Sequence, residues 1–141
     1  MKRGDASRIQ YKKDEFMSSK GRILIVDDEP DISDFLSAFF QLKGYEPQVA
    51  NSGQEALEKL DSFNPHVILL DVRMPQMDGI ETLAKIREKD QEVGVIMVTA
   101  VHEVNIGREA LKLGAADFVT KPIDLEYLET TVMVKLISLM S

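Results

Sequence analysis

The sequence contains no cysteine, which excludes disulfide scaffolding, thiolate catalysis and cysteine-based zinc sites together. No apolar run approaches the roughly 18 residues of a membrane span. The first residues, MKRGD, are charged where a secretory signal would be apolar. Basic residues are in deficit: 17 Lys and Arg stand against 24 Asp and Glu, for a formal net charge of −7. Direct nucleic-acid binding demands a basic face, and an anionic membrane surface attracts clustered Lys and Arg, so both partner classes are set aside. The 2 histidines, His66 and His102, have no partner at metal-ligand spacing and read as structural or solvated. No internal repeat, low-complexity tract or helix-turn-helix pattern occurs in the sequence. What is there is 141 residues, 44% apolar and 29% charged, enough for one domain with a real core and too few for a second sizeable one. A soluble, cytoplasmic protein is the simplest expectation.

Residues 1–20, MKRGDASRIQYKKDEFMSSK, combine many charges and scattered aromatics with no sustained period, and read as a flexible N-terminal extension. Met17, followed by Ser18-Ser19-Lys20-Gly21, could be the natural start, making residues 1–16 an added leader; a native linker is the alternative. Over residues 21–141 apolar runs alternate with helical patterns. The expected strands are Ile23 to Val26, Glu46 to Ala50, His66 to Asp71, Val93 to Val98 and Ala116 to Thr120. The expected helices open at Pro30, at Ser52-Gly53-Gln54-Glu55, after the loop Val72 to Gly79, near Glu103 and at Asp124; the fourth runs to Leu113 ahead of Gly114. Strands alternating with helices over short loops call for a doubly wound α/β fold with a parallel sheet, and the flavodoxin-like strand order 2-1-3-4-5 fits best.

In such a sheet the loops at the strand carboxyl ends share one edge, where ligands bind. This sequence places Asp27-Asp28-Glu29 after the first strand, Asp71 after the third, Thr99 after the fourth and Lys121-Pro122 after the fifth. Any one polar residue at a strand end is commonplace; the whole set is not. Three carboxylates about 5 Å apart repel by roughly 3 kcal/mol per pair at an effective dielectric of 20. Such a cluster takes up a proton or a cation. An all-oxygen donor set favours a hard divalent ion, and so few protein oxygens suit magnesium better than calcium. A magnesium site beside an ionised carboxylate and a lysine is suited to phosphoryl transfer.

The segments ILIVDDEPD, VILLDVRMPQMDG, IMVTA and DFVTKP together resemble the receiver domain of bacterial two-component response regulators, from about Gly21 to the C-terminus. The resemblance implies that Asp71 is the phosphoacceptor and that Asp27 and Asp28 hold magnesium, Asp28 directly and Asp27 more through water. It implies the Arg73 backbone carbonyl as a further metal ligand, with manganese able to substitute for magnesium. Thr99 matches the switch hydroxyl, Lys121 the lysine that pairs with the phosphoryl group, and Phe118 the aromatic switch residue, although Phe118 can equally be a strand residue that packs. The Lys121–Pro122 bond is expected to be cis, which proline tolerates. Arg73, two residues past the acceptor, points toward the rim at a position that tunes phosphoryl lifetime in the family. The implied donor is a sensor histidine kinase or a phosphotransfer protein. The domain is thus expected to be no enzyme, but a phosphoacceptor with self-phosphorylation and autodephosphorylation chemistry of its own.

Met74, Met77 and Met97 read as packing residues. In the last helix Leu125, Leu128, Val132, Leu136 and Leu139 form one apolar face for the sheet, while Tyr127, Val134 and Ile137 form a second stripe. Either the surface of helix four, strand five and helix five pairs with another copy or an output domain, or the helix is cut from a longer linker. Three competing functions are weaker. A haloacid-dehalogenase-like phosphatase needs a second Asp where Arg73 stands, and Arg73 cannot donate a proton. A flavin-phosphate loop needs small hydroxylated residues and glycine where Asp27-Asp28-Glu29 would repel the phosphate. A passive binding module would have lost one of the acidic, acceptor or lysine positions, and none is lost.

Overall fold

In the computed structural model, residues 19–140 are described; apart from Ser19 and Lys20, the expected N-terminal extension lies outside them. Strand β1 (Arg22–Val26) and β3 (Val67–Asp71) are buried along their whole length, as their unbroken apolar runs require when helices cover both faces. Between and after them come α1 (Pro30–Leu42), β2 (Glu46–Ala50), α2 (Gly53–Ser62), α3 (Gly79–Lys89) and β4 (Gly94–Ala100). A short 3-10 turn (Val101–Glu103) leads into α4 (Val104–Lys112), then β5 (Asp117–Lys121) and α5 (Leu125–Met140). All strand pairs are parallel, in the order β2-β1-β3-β4-β5, so the fold is the flavodoxin-like one expected.

Side chains alternate across the sheet and divide the core in two. Leu24, Val26, Ile68 and Leu70 face α2, α3 and α4 through Ala56, Leu60, Leu83, Ile86 and Ala110. Ile23, Ile25, Val67 and Leu69 face α1 and α5 through Leu36, Phe40, Leu128, Val132 and Leu136. Helix starts are set by short polar side chains. Ser52 accepts from the Glu55 N–H at 3.1 Å while Glu55 accepts from Asn51 N–H at 2.8 Å. Asp78 accepts from the Glu81 N–H at 2.9 Å, and Asp124 from the Tyr127 N–H at 3.1 Å.

Boundaries differ from expectation at the rim. Strand β4 continues through Thr99 and Ala100, because they pair in register with Thr120 and Lys121 of β5. The helix expected from near Glu103 to Leu113 is α4, Val104–Lys112, and the 3-10 turn from Val101 to Glu103 precedes it. On β2, the edge strand, Glu46 donates to Gly21 O (2.8 Å) and Ala50 O accepts from Asp27 (3.1 Å). The backbone groups of Pro47 and Val49 therefore face outward, and Val49 O accepts from Lys59 Nζ at 2.6 Å. On α5 the stripe of Tyr127, Val134 and Ile137 is exposed, whereas Leu128, Val132 and Leu136 are buried. Among the described residues no helix is long and apolar enough to cross a membrane.

Candidate functional site

Each strand delivers its terminal polar residue to the carboxyl edge of the sheet. Beyond β1, Asp27 is held by its N–H to Ala50 O, and its Oδ1 accepts from the Glu29 N–H at 2.9 Å. Asn51, at the end of β2, donates to Asp27 O at 2.9 Å, tying the two loops together. Asp71 closes β3, and the following loop folds back tightly over it. A Cβ on Gly79 would lie 2.4 Å from Asp71 O and 2.7 Å from Val72 Cα, so only glycine admits this approach. The Gly79 N–H then donates to Val72 O at 2.8 Å.

These constraints bring Asp27, Asp28 and Asp71 together: each offers a carboxylate oxygen, and all these oxygens lie within 4.8 Å of one another. Asp27 and Asp71 are buried, while Asp28 lies nearer the solvent. Lys121, at the end of β5, approaches Asp71 Oδ1 at 3.7 Å. The Asp71 Oδ1 also accepts from the Arg73 N–H at 3.3 Å. Burial, with the Asp27 charge beside it, pushes the Asp71 carboxyl up to about 6 against the pull of Lys121. Burial raises Asp27 as well, against its backbone hydrogen bond from Glu29 and the charge of Lys121.

Thr99, at the end of β4, is buried, and its Oγ1 has no hydrogen-bond partner among the described residues. Buried hydroxyls are normally satisfied, so this one is open to a group outside the protein chain. The donor chemistry fits a hard divalent cation: carboxylate oxygens only, two of them crowded by burial, with a hydroxyl and an ammonium at the border. The Lys121–Pro122 peptide is cis. Phe118, half-buried on β5, packs its ring so closely on α4 that a Cβ at Gly107 would lie 2.8 Å from it.

Sequence reasoning missed one residue of this edge. The Arg73 side chain, largely exposed, donates through Nε to Glu103 Oε2 across the loops after β3 and β4, and the Glu103 side chain is only 4% exposed. A glutamate at the start of a helical pattern carries no signal of burial; its partner lies 30 residues away. His66 accepts from the Arg22 N–H through Nδ1 at 2.9 Å, and His102 is exposed, so neither histidine joins the site. Met74 and Met97 lie in the core, and Met77 packs near Gly53.

Comparison with known proteins gives a consistent result. The family model described as the response regulator receiver domain matches residues 23–133. The regulatory protein AtoC of Escherichia coli (strain K12) is 45% identical over 116 residues, covering 82% of this chain and 25% of that protein, so the chain spans about a quarter of this relative. The sporulation initiation phosphotransferase F of Bacillus subtilis (strain 168) is 36% identical over 111 residues, covering 79% of this chain and 90% of that protein. The solved receiver domain of the Francisella response regulator 1452 superposes with a TM-score of 0.77 at 32% identity, covering 82% of this chain and 96% of that one. A five-stranded parallel sheet gathering these acidic, hydroxyl and lysine side chains at one edge, together with these matches, places the chain in the response regulator receiver domain family.

Proposed function

We propose that the domain accepts a phosphoryl group on Asp71, from a phosphohistidine of a sensor kinase or phosphotransfer protein, in the cytoplasm. The observation that supports this most is the meeting of Asp27, Asp28 and Asp71 within 4.8 Å beside Lys121 and the unsatisfied Thr99 hydroxyl. Asp27, Asp28, Asp71 and the Arg73 carbonyl would hold magnesium, with manganese as a substitute. When bound, the cation supplies positive charge that favours ionised Asp71 and offsets charge on the phosphoryl oxygens. An Asp71 carboxylate oxygen attacks phosphorus, the new P–O bond forms as the P–N bond breaks, and the imidazole leaves with the electron pair. Lys121 pairs with one phosphoryl oxygen, and the Thr99 hydroxyl donates to another. The same residues, with water as the attacking group, would return the acyl phosphate to free carboxylate, and a small phosphodonor would replace the kinase for self-phosphorylation.

A signalling role follows from what the added group does. Taking a two-state switch from mostly off to mostly on requires about 5.5 kcal/mol of differential stabilisation. A doubly charged phosphoryl group bonded by Thr99 and Lys121 is of that order. Movement of Thr99 toward it would let Phe118 respond and reshape the surface of α4, β5 and α5, where the exposed Tyr127, Val134 and Ile137 would meet a second copy or an output domain. The test is incubation with magnesium and acetyl phosphate. One acid-stable, base-labile acyl phosphate should form and be lost in Asp71→Asn. Turnover of phosphate esters instead would favour a phosphatase, and no labelling would leave a passive module. Sedimentation with and without beryllofluoride addresses the surface; a strict monomer in both states would discard the homodimer.

A further inference from the structure

The carboxylate of Glu103 is an unusual thing to bury at a signalling edge. Its side chain is 4% exposed, and its bonding partner among the described residues is Arg73, whose own side chain is 73% exposed. Arg73 is thus the solvent-facing member of the pair and Glu103 the enclosed one. The two belong to different loops: Arg73 follows the acceptor strand by two residues, and Glu103 ends the 3-10 turn between β4 and α4. That turn follows the strand carrying Thr99 directly.

Resting on the reading of Asp71 as acceptor, we propose that Glu103 is a positioning residue for Arg73: it draws the guanidinium away from the Asp71 carboxylate, and a phosphoryl group on Asp71 competes with it for that cation. Arg73 is close enough for this role, because its backbone N–H already reaches Asp71 Oδ1 at 3.3 Å. The guanidinium presents a planar fork of donors that matches a phosphoryl group at least as well as a carboxylate. In the unphosphorylated domain the anions at this edge are carboxylates, and the buried Glu103 holds the cation because a solitary buried charge would be costly. Phosphorylation replaces the single charge of the Asp71 carboxylate with the nearly two of a phosphoryl group, set within reach of the same side chain. When Arg73 turns to it, Glu103 loses its counter-charge inside the fold, and the turn from Val101 to Glu103 is driven to move toward solvent. The ion pair therefore links occupancy of the acceptor to the start of α4 by a route separate from Thr99 and Phe118.

The test is a double-mutant cycle on the intact chain, with Glu103→Gln, Arg73→Met and the pair combined. Affinity for beryllofluoride in saturating magnesium is read by fluorine NMR, and exchange of the amides from Val101 to Glu103 is followed in the same samples. Glu103→Gln keeps the shape of the side chain but frees the guanidinium, so it should tighten beryllofluoride binding about fivefold or more, the lower range of site-to-site coupling. In the Arg73→Met background the same substitution should change affinity less than about twofold, a residue of the lost negative charge alone. Wild-type amides in the turn should exchange faster with beryllofluoride bound than without, and this difference should vanish in Arg73→Met. An equal effect of Glu103→Gln in both backgrounds overturns the positioning role while leaving Asp71 as acceptor. Wild-type protein that takes up no beryllofluoride with magnesium present overturns the acceptor reading and this inference with it.

Discussion

Replacing Asp71 with Asn should make the cation-free fold more stable, even though it removes the proposed phosphoacceptor. The carboxyl is raised from an ordinary 3.8 to about 6, first by burial and then by Asp27, with Lys121 only partly offsetting them. A folded-state value above the unfolded one means that the fold favours the protonated form. The penalty is therefore absent below about pH 4, grows as pH rises toward about 6, and is fully present at neutral pH. The gap between 3.8 and about 6 corresponds to about 3 kcal/mol. Asp27 titrates in the same cluster and shares part of this, and Lys121 loses a partner in the variant, so about 1–3 kcal/mol is expected. For a domain of this size that is roughly 3–10 °C in melting temperature. The side-chain amide introduced by Asp71→Asn is uncharged yet retains an acceptor for the Arg73 N–H. Thermal unfolding of both proteins in EDTA, from pH 4 to pH 8, should give nearly coincident midpoints at the acid end and a widening advantage for Asp71→Asn toward neutrality. Magnesium should then narrow the gap, because wild type keeps the full donor set and is stabilised by what it binds. A variant no more stable than wild type at pH 7.5 in EDTA would refute the account of charge crowding.

Thr99→Val keeps the shape of a buried side chain while removing a hydroxyl that lacks a partner among the described residues. It should stabilise the unphosphorylated fold by about 1 kcal/mol in urea unfolding while lowering beryllofluoride affinity at least tenfold; loss of stability would mean that the hydroxyl is already satisfied. Gly79→Ala drives a Cβ to 2.4 Å from Asp71 O, a backbone atom that cannot swing aside. It should cost about 2–3 kcal/mol and slow acyl phosphate formation from acetyl phosphate, and a change under about 0.5 kcal/mol would show that the loop after β3 adapts freely.

The convergence of Asp27, Asp28, Asp71, Thr99 and Lys121 was legible because a parallel sheet with right-handed crossovers leaves little choice about where strand ends go. The two sides of α5 were legible for a similar reason: Leu128, Val132 and Leu136 repeat with the helix period, and Tyr127, Val134 and Ile137 repeat out of phase with them. Strand ends near the rim were less so. Thr99, Ala100 and Lys121 fall outside the apolar runs, yet cross-strand register keeps them in the ladder. Glu103 was invisible altogether. Its burial comes from a partner on another loop and from the tight turn ahead of α4, and neither is encoded in the residues beside it. The unsatisfied state of the Thr99 hydroxyl is likewise a property of the packed interior, not of Thr99 itself.

The outward side of β2 has a consequence for how this chain behaves at high concentration. Pro47 offers no N–H there, and the Val49 carbonyl is already bonded by Lys59. An incoming peptide strand would find one donor missing and one acceptor taken over consecutive outward positions, so sheet growth from that margin into fibrils is blocked by covalent structure and by a side-chain cap at once. Exchanging Pro47 for valine and Lys59 for methionine would reopen that margin, and the folded domain should then begin to polymerise under conditions where the native sequence stays dispersed.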